Sequence, residues 1–217
     1  MKFTFLVPCR CGEKLPVTVT GTQFPNDAQC HKCHSTIWLV KPLGNIAGKA
    51  IHARASAELE KGDWTLAIVL SAMAVECDLA YLFMKWSRID LMSERMPTDA
   101  DEEKWEAQWR DNARTVAARF DRVSGLLTGE PFDAFLSHNA GLLEPVHIRR
   151  PPSKTTDSPK NFFITELFHK RNRIVHFGEI DFRRTDAEMG ITLSITLSKI
   201  LAEMDAQRFR ALQAEHS

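Results

Sequence analysis

The spacing of apolar residues divides the chain into a short segment with the pattern of strands and a long segment with the pattern of helices. Near the start, apolar residues alternate with polar ones, and this period of two predicts strands. They are Phe3, Phe5, Val7, Leu15, Val17 and Val19, and Ile37, Leu39 and Val40 follow as a further apolar run. After Pro42 and Gly44, apolar residues recur at every third or fourth position, which predicts amphipathic helices. The chain is expected to be mainly α, with a small β unit at 1–43 and a helical bundle at 45–217.

Capping and helix-breaking residues set the bounds of six expected helices. Gly62 ends the first helix and Asp63 is placed to cap the second, because an aspartate side chain accepts from the free N–H groups of a first turn. The expected helices are Ile46–Lys61, Trp64–Leu91, Thr98–Leu127, Phe132–His138, Asn161–Phe177 and Thr185–Ala214. The segment 144–160 contains four prolines and few apolar residues, which predicts an exposed loop.

Two charged residues interrupt the apolar stripes of these helices. The stripe of the second helix comprises Val69, Met73, Ala80 and Phe83, and Glu76 falls on it. The stripe of the fifth comprises Ile164, Leu167, Phe168, Ile174 and Val175, and Arg171 falls on it. A buried charge is costly unless it is paired. Glu76 and Arg171 are therefore expected to meet in a bidentate contact, with Asp78 as the alternative acidic partner.

Four cysteines near the start have the spacing of a metal site. Cys9 and Cys11 form a C-x-C pair, and Cys30 and Cys33 form a C-x2-C pair after eighteen intervening residues. Four thiolates in two close pairs suit tetrahedral Zn²⁺, and a site with four protein ligands is structural rather than catalytic. Together with the strand pattern, the two pairs resemble a zinc ribbon covering about residues 1–42.

Other arrangements of these cysteines remain open from the sequence. A disulfide framework would require an oxidising compartment, and His31 or His34 could replace one cysteine as a ligand. Residues 3–8 lack the build of a signal peptide, and no apolar run is judged long enough to span a membrane. The chain is therefore expected to be cytoplasmic and reduced, without membrane association. Cys77 lies in an apolar helix and is expected to be a small buried hydrophobe.

The charge balance restricts how this chain could bind nucleic acid. Twenty-eight basic residues match twenty-eight acidic ones, so the net charge is zero and no overall attraction to a polyanion is expected. Between residues 149 and 184, however, nine Lys or Arg face four acids. Any affinity for RNA must therefore be local, and residues 149–184 are the candidate RNA-binding segment. The alternative is that these basic residues simply form a solvated face.

The segment Arg171-Asn172-Arg173-Ile174-Val175-His176 lies within this basic region. Cleavage of RNA by its 2′-hydroxyl needs groups that accept and donate protons and a cation that stabilises the phosphorane, which His176 and Arg171 could supply. Asn172 and His176 are four residues apart and would lie on one helix face. The alternative is an arginine that snorkels and a histidine that interacts with the helix dipole.

The pattern Arg171-Asn172-x-x-x-His176 resembles the R-N-x-x-x-H signature of HEPN domains. The alanine-rich run 71–79, which contains Glu76, and the continuation 177–179 are also similar to such domains. The resemblance covers about residues 45–215. It implies a HEPN-like helical bundle in which two protomers pair so that Arg171, Asn172 and His176 of both line one cleft. The implied function is a metal-independent endoribonuclease acting on RNA; the alternative is a non-catalytic module whose zinc ribbon recruits nucleic acid or a protein partner.

Overall fold

The computed structural model describes residues 2–9, 11–20, 27–38, 43–92, 95, 97–112, 115–146 and 158–215. The protein is mainly α with a small β element at its start, as the sequence predicts. The chain divides into two compact units, Met1–Leu43 and Gly44–Ser217, and each is described by itself.

The first unit contains two antiparallel hairpins. Strand β1 (Lys2–Pro8) pairs with β2 (Lys14–Thr20), and β3 (Asp27–Gln29) pairs with β4 (Thr36–Trp38). Each cysteine pair lies in the connection of one hairpin, so the two connections bring the sulfur atoms together. Among the residues of this unit whose burial is described, Cys9, Leu15 and Cys30 form a small buried cluster. The predicted strand residues Leu39 and Val40 lie outside the described residues.

The second unit is a helical bundle. Its α-helices are α1 (Leu43–Lys61), α2 (Trp64–Met92), α3 (Asp99–Asn112), α4 (Val116–Thr128), α5 (Phe132–His138), α6 (Pro159–Phe163), α7 (Lys170–Phe177) and α8 (Arg184–Glu215). A 3₁₀ segment covers Ala140–Val146, and a π-helical segment covers Ile164–His169 between α6 and α7. Helices α6 and α7 and the π segment follow one another without a break and are called the motif helix (159–177).

Helices α2 and α8 form the centre of the bundle. Ser194 of α8 donates to the carbonyl of Ser71, and further along both helices Asp205 accepts hydrogen bonds from Lys85 and Trp86. These contacts advance in the same direction along both helices, so α2 and α8 run parallel. The Phe120 ring of α4 connects this centre to the motif helix, because its centroid lies 5.9 Å from that of Phe168. The packing of these apolar side chains fixes the position of the motif helix.

The structure corrects the expected third helix. Instead of one helix from Thr98 to Leu127 there are two, α3 and α4. Thr115 has extended backbone angles, and its side chain accepts from the N–H of Ala118, so it is an N-cap. A threonine hydroxyl competes with helical hydrogen bonding and favours such a cap over a helix interior. The break matters because it determines where Arg119, in the first turns of α4, is placed.

The apolar stripe of the motif helix also differs from the expectation. Leu167 and Phe168 are buried, but Val175 is 52% exposed and Arg171 is only partly buried. The expected stripe assumed α-helical spacing throughout, whereas Ile164–His169 is π-helical. A π segment bonds at i→i+5 and rotates the residues after it relative to an uninterrupted α-helix. Residues after this segment therefore face a different direction from the one that steps of three and four predict.

The stripe assigned to α2 was partly wrong. Met73 is 38% exposed, and Glu76 is only partly buried. The buried face of α2 is displaced by about one position and comprises Ile68, Ser71, Ala72, Val75, Leu79, Leu82, Phe83 and Trp86. A helix as apolar as α2 offers several overlapping stripes, so the sequence alone did not distinguish among them. Glu76 therefore lies at the edge of the buried face, where it reaches solvent and two arginines.

Helix α2 also corrects the expectation that no apolar run could span a membrane. By length and composition it could, because its most apolar window has a mean hydropathy of 1.9. Of that window, 56% is buried within the described part of the protein. More than half of that window is therefore covered by other parts of the helical unit.

Both ends of the expected exposed loop at 144–160 are helical in the structure. Its first residues belong to the 3₁₀ segment Ala140–Val146, and its last two belong to α6, where Ser158 caps the helix and Pro159 occupies the first turn. Proline is favoured there because its missing N–H would have no helical partner. Residues 147–157 lie outside the described residues.

A polar network lies between α1, α2 and α8. His52 Nε2 is 3.0 Å from the Ser198 hydroxyl, which donates to Asp78 at 2.6 Å, and His52 Nδ1 is 3.1 Å from Ser194. Burial lowers the pKa of His52, and the charge of Asp78 opposes this effect. Burial raises the pKa of Asp78, against the hydrogen bond from Ser198 and the charges of His52 and Lys49.

The lowered pKa of His52 predicts a loss of stability in mild acid. Below the usual value of 6.5, the unfolded chain takes up a proton that the folded ring does not, so the free energy of unfolding falls as the pH decreases through this range. Urea unfolding of wild type and of His52→Gln at pH 7.5 and 5.5 measures the effect. We expect a smaller loss in the variant; an equal loss in both would show that His52 does not contribute. Because the His52 ring is half-exposed, solvent screens its interactions. The loss of free energy of unfolding should therefore be well below the loss expected for a fully buried ring.

Candidate functional site

The four predicted cysteines come together between the two hairpin connections. Their Sγ atoms all lie within 4.8 Å of one another, with Cys9 and Cys33 3.4 Å apart and Cys11 and Cys30 3.6 Å apart. Sulfurs bound tetrahedrally at about 2.3 Å from one ion would be roughly 3.8 Å apart. The sulfurs are too far apart for disulfides, which are about 2.05 Å long. The group can hold one metal ion.

The backbone of both connections supports this arrangement. Gly12 and His34 follow the second cysteine of their pairs, and both have a positive φ, at 84° and 57°. The N–H of Gly12 donates to the carbonyl of Cys9, and that of His34 donates to the carbonyl of Cys30. Each turn therefore folds back on its first cysteine and directs two thiols inward. His31 and His34 are exposed and do not belong to the cluster among the described residues, so neither replaces a cysteine.

The thiols of this cluster differ in acidity. The backbone N–H of Cys11 and the hydroxyl of Ser35 lower the pKa of Cys9 to about 6. The Ser35 hydroxyl, 2.9 Å from Cys33, also lowers the pKa of that thiol. For Cys11, the backbone N–H of Glu13 lowers the pKa, but burial and the neighbouring thiolates outweigh it and raise the pKa to about 12. Thiolates this close repel one another, and a bound cation would stabilise all four in the deprotonated form.

The second candidate site lies on the helical unit, where Glu76 of α2 contacts Arg171 of the motif helix. The Nη2 atom of Arg171 is 3.3 Å from Glu76 Oε2, which confirms the predicted contact. The expected bidentate geometry was wrong, because the Nη1 atom of Arg171 instead donates to Asn172 Oδ1 at 2.9 Å. Among the described residues, the buried Nε of Arg171 has no hydrogen-bond partner. Asp78 bonds to Ser198 and is not the partner of Arg171 in this arrangement.

A second arginine reaches the same carboxylate. The Nη1 atom of Arg119 lies 3.5 Å from Glu76 Oε1, so each oxygen of Glu76 faces a different guanidinium. The Arg119 guanidinium also lies over the ring of Trp109, 5.2 Å from its centroid. The side chains of Glu76, Arg119 and Arg171 are 20%, 24% and 25% exposed, so the cluster is open to solvent.

His176 lies apart from this cluster. It occupies the last turn of α7, which ends where Gly178 adopts a left-handed conformation and donates to the carbonyl of Ile174. Its ring is exposed and makes no hydrogen bond to the described residues. Three apolar residues near it in the sequence are unusually exposed, with Val175 52%, Phe177 82% and Ile180 74% accessible. We call Val175, Phe177 and Ile180 the apolar patch.

Only some of the basic residues between 149 and 184 lie within the described part of the chain. Arg149, Arg150 and Lys154 lie outside the described residues. Lys170 contacts Glu166 at 3.1 Å and Asp186 at 2.9 Å, which ties the motif helix to α8. Arg173 is paired with Glu179. Several of the basic residues of this segment are thus engaged in ion pairs.

No protein-family model matches this chain, and comparison with curated proteins and with solved structures finds no significant match. The resemblance to HEPN domains therefore depends on the motif residues themselves.

Residues that the sequence did not indicate complete both sites. Ser35 lies within hydrogen-bonding distance of two of the cysteines, and a serine two residues after a C-x2-C pair is the only signal it leaves. Arg119 left no signal, because its position depends on the helix break at Thr115 and on the packing of α4 against α2.

Proposed function

We propose that this protein is a metal-independent endoribonuclease of HEPN type that cleaves RNA by attack of the 2′-hydroxyl on the adjacent phosphate. The observation that carries the proposal is the arrangement of Arg171, which Glu76 and Asn172 hold at a solvent-accessible position on the motif helix. A guanidinium oriented in this way on a rigid helix stabilises developing negative charge without reorganising during the reaction.

Each motif residue has a distinct role in this reaction. His176 exchanges protons with the 2′-hydroxyl or with the 5′-oxygen that leaves, because the imidazole of a histidine can both accept and donate near neutral pH. Arg171 stabilises the charge of the phosphorane. Asn172 orients Arg171 through its Oδ1 atom, which leaves its amide N–H groups to donate to substrate. The products are a 2′,3′-cyclic phosphate and a 5′-hydroxyl.

A homodimer is part of the proposal. Arg171 is turned towards Glu76 while His176 is exposed in the last turn of the helix, and residues five apart on an α-helix differ in direction by about 140°. One protomer therefore presents an incomplete set of groups, and a second copy related by a two-fold axis would supply the rest. The apolar patch, which is close to His176 in the sequence, supports such pairing, because large exposed apolar residues are typical of an interaction surface.

We propose zinc as the ion of the cysteine cluster, in a structural role, because four thiolates at tetrahedral spacing suit Zn²⁺ and leave no position for a substrate. Thiols that remain free favour a reducing compartment, and the cytoplasm is the proposed location. RNA is the proposed substrate.

Cleavage of a single-stranded RNA in the presence of a chelator tests the proposed reaction. We expect wild-type protein to cleave RNA with EDTA present and to leave 2′,3′-cyclic phosphate ends. The same strand with a 2′-deoxynucleotide at each cleaved position should remain intact, since the attacking hydroxyl is missing. Activity that requires added Mg²⁺, or products with 3′-hydroxyl ends, would contradict the proposed mechanism.

The alternative is a non-catalytic binding module, and the contact between Glu76 and Arg171 favours it. A carboxylate 3.3 Å from the guanidinium reduces the positive charge that Arg171 can offer a phosphorane. In that case the zinc ribbon would recruit nucleic acid or a protein partner. RNA binding without cleavage by the wild type would support this function.

A further inference from the structure

A pocket lies between the turn that joins α1 to α2 and the segment that joins the motif helix to α8. Residues 62–65 and 180–183 line it, and its volume is about 520 Å³, within the range of roughly 300–1,000 Å³ that small-ligand sites occupy. We call it the Trp64 pocket. Phe182 is buried in the helical unit, whereas Trp64 and Ile180 are 37% and 74% exposed. The Trp64 pocket therefore offers apolar surfaces to a ligand in addition to polar groups.

Hydrogen bonds fix both walls of the Trp64 pocket. On one side, the side chain of Asp63 accepts from the N–H of Leu66 and so caps α2, which begins at Trp64. On the other side, the N–H of Arg183 donates to the carboxylate of Asp186 at the start of α8. A site whose walls are already ordered binds a ligand without the free-energy cost of ordering them.

The charged groups of the Trp64 pocket disfavour a phosphate group. Among its lining residues, the carboxylates of Asp63 and Asp181 outnumber the guanidinium of Arg183, so an oxyanion would be repelled. Asp181 is exposed, and its carboxylate makes no hydrogen bond or ion pair within the part of the chain that the structure describes. A carboxylate only accepts hydrogen bonds. A ligand that fits this pocket therefore has a flat apolar body with N–H groups at its edge.

The Trp64 pocket borders the end of the motif helix that carries His176. The Arg173 guanidinium lies over the Phe182 ring, 5.9 Å from its centroid. Arg173 precedes His176 by three residues, or about 4.5 Å along the helix axis, and residues three apart are neighbours on one helix face. A strand whose scissile phosphate lies at His176 therefore has a neighbouring nucleotide within reach of the Trp64 pocket.

We infer that the Trp64 pocket binds one unpaired guanine of the RNA strand. This inference rests on the proposed function for the identity of the ligand. The base stacks against Trp64, and its N1–H and 2-amino groups donate to the two oxygens of the Asp181 carboxylate. Proteins recognise single-stranded RNA by such stacking and by hydrogen bonds to the base edges. Of the four bases, guanine alone has two adjacent N–H donors on its Watson–Crick edge, so the pocket gives the protein a sequence preference.

Binding of 2′-O-methyl oligonucleotides tests the inference without requiring cleavage, since these strands lack the attacking hydroxyl. Strands of uridine carry adenosine, inosine or guanosine at one central position, and fluorescence anisotropy gives the affinity of each. We expect wild type to bind the guanosine strand at least about five-fold more tightly than the adenosine strand, the discrimination of one bidentate contact. The inosine strand should be intermediate, because inosine lacks the 2-amino group. Equal affinity for the guanosine and adenosine strands, or no binding of any strand, would overturn the inference.

Replacement of Asp181 tests the hydrogen bonds to the base. Asp181→Asn should remove the preference for guanosine, because an amide has one acceptor oxygen where the carboxylate has two. Asp99→Asn is the matched control, since Asp99 is an exposed aspartate in the first turn of α3 and does not line the pocket. It makes the same change of charge and should keep the preference. An unchanged preference in Asp181→Asn, or an equal loss in Asp99→Asn, would overturn the inference.

Replacement of Trp64 tests the stacking. Trp64→Ala should weaken the binding of every strand by about five-fold or more, because stacking on an aromatic ring does not depend on the identity of the base. Trp64→Phe keeps a ring and should retain most of the affinity. Phe209→Ala removes a ring that is 49% exposed on α8 and does not line the pocket, and it should bind as wild type does. Wild-type affinity in Trp64→Ala would contradict the inferred stacking.

Mapping of the cleaved bonds separates the inference from the proposed function. We expect wild type to cleave next to guanosine and Asp181→Asn to cleave without this preference. If wild type binds guanosine strands with an Asp181-dependent preference but cleaves no RNA, the proposed function fails and the inference stands. If wild type cleaves RNA and neither binding nor cleavage depends on guanosine, only the inference fails.

A measurement on wild-type protein covers the case in which the variants do not fold. A strand with 6-thioguanosine at the tested position keeps the N1–H and 2-amino groups and forms covalent cross-links to nearby side chains on irradiation. Mass spectrometry should locate the cross-link within residues 62–65 or 180–183. Cross-links confined to other segments would overturn the inference.

Discussion

Replacing His176 with alanine is expected to lower the rate of RNA cleavage by about a hundred-fold to ten-thousand-fold, the usual contribution of a general acid or base. The loss should appear in kcat rather than in KM, because the imidazole moves protons in the transition state and contributes little to holding the strand. His176 is exposed and makes no hydrogen bond to the described residues, so its removal should leave the fold and its thermal stability unchanged.

His169 provides the control for this experiment. It is an exposed histidine on the same motif helix, in the π segment that precedes α7. His169→Ala removes the same side chain from the same element, and we expect it to cleave RNA at the wild-type rate. A wild-type rate in His176→Ala, or an equal loss in both variants, would show that His176 is not the proton-transfer group.

Mixing two inactive variants tests whether the site is shared between protomers. In a dimer whose cleft takes groups from both chains, a protomer with His176→Ala and one with Arg171→Ala together retain one intact histidine and one intact arginine. Part of the wild-type activity should therefore return on mixing. If mixing restores no activity and analytical ultracentrifugation shows monomers at micromolar concentration, the two protomers do not share a cleft. The binding-module function would then be the remaining hypothesis.

The Glu76–Arg171 contact illustrates what the sequence could predict. Each residue is a charge on the apolar stripe that the sequence predicts for its helix, and the cost of an unpaired buried charge was enough to connect two residues 95 positions apart. The same argument could not predict the geometry of the contact. Whether a guanidinium meets a carboxylate with one or two nitrogens depends on neighbours such as Asn172 and Arg119, and their positions are set by packing.

The expected third helix and the motif helix differed from prediction for separate physical reasons. The break before α4 had a local signal, since Thr115 has the side chain of an N-cap, but the apolar and helix-forming residues on both sides concealed it. The π segment had no such signal. It changes the direction of every later residue in the motif helix, which is why Val175 is exposed although its spacing from Ile164 places it on the apolar stripe.

The convergence of the four cysteines, in contrast, could be predicted from the sequence. The spacing of two cysteine pairs predicted their convergence, because a metal ligand set is a short-range pattern that needs two tight turns and little else. Gly12 and His34 adopt the left-handed conformation that those turns require. Glycine does so without strain, whereas His34 does so at a small cost that hydrogen bonding within the turn offsets.

Replacing Cys30 and Cys33 together with serine is expected to abolish metal binding and to unfold the first unit, Met1–Leu43. The part of its core whose burial is described consists of Cys9, Leu15 and Cys30 with two partly buried neighbours. A unit of about forty residues usually needs a metal or disulfides to fold, and a structural Zn²⁺ contributes about 10–16 kcal/mol. Elemental analysis should find about one zinc per chain in the wild type and none in the variant. Hydrogen exchange should show lost protection in the β strands and unchanged protection in α2 and α8, because the helical unit has its own core.

Cys77→Ser is the control, since the fifth cysteine lies in α2 outside the cluster, and it should retain the metal. Full metal retention in the double variant would contradict the assignment of these four ligands.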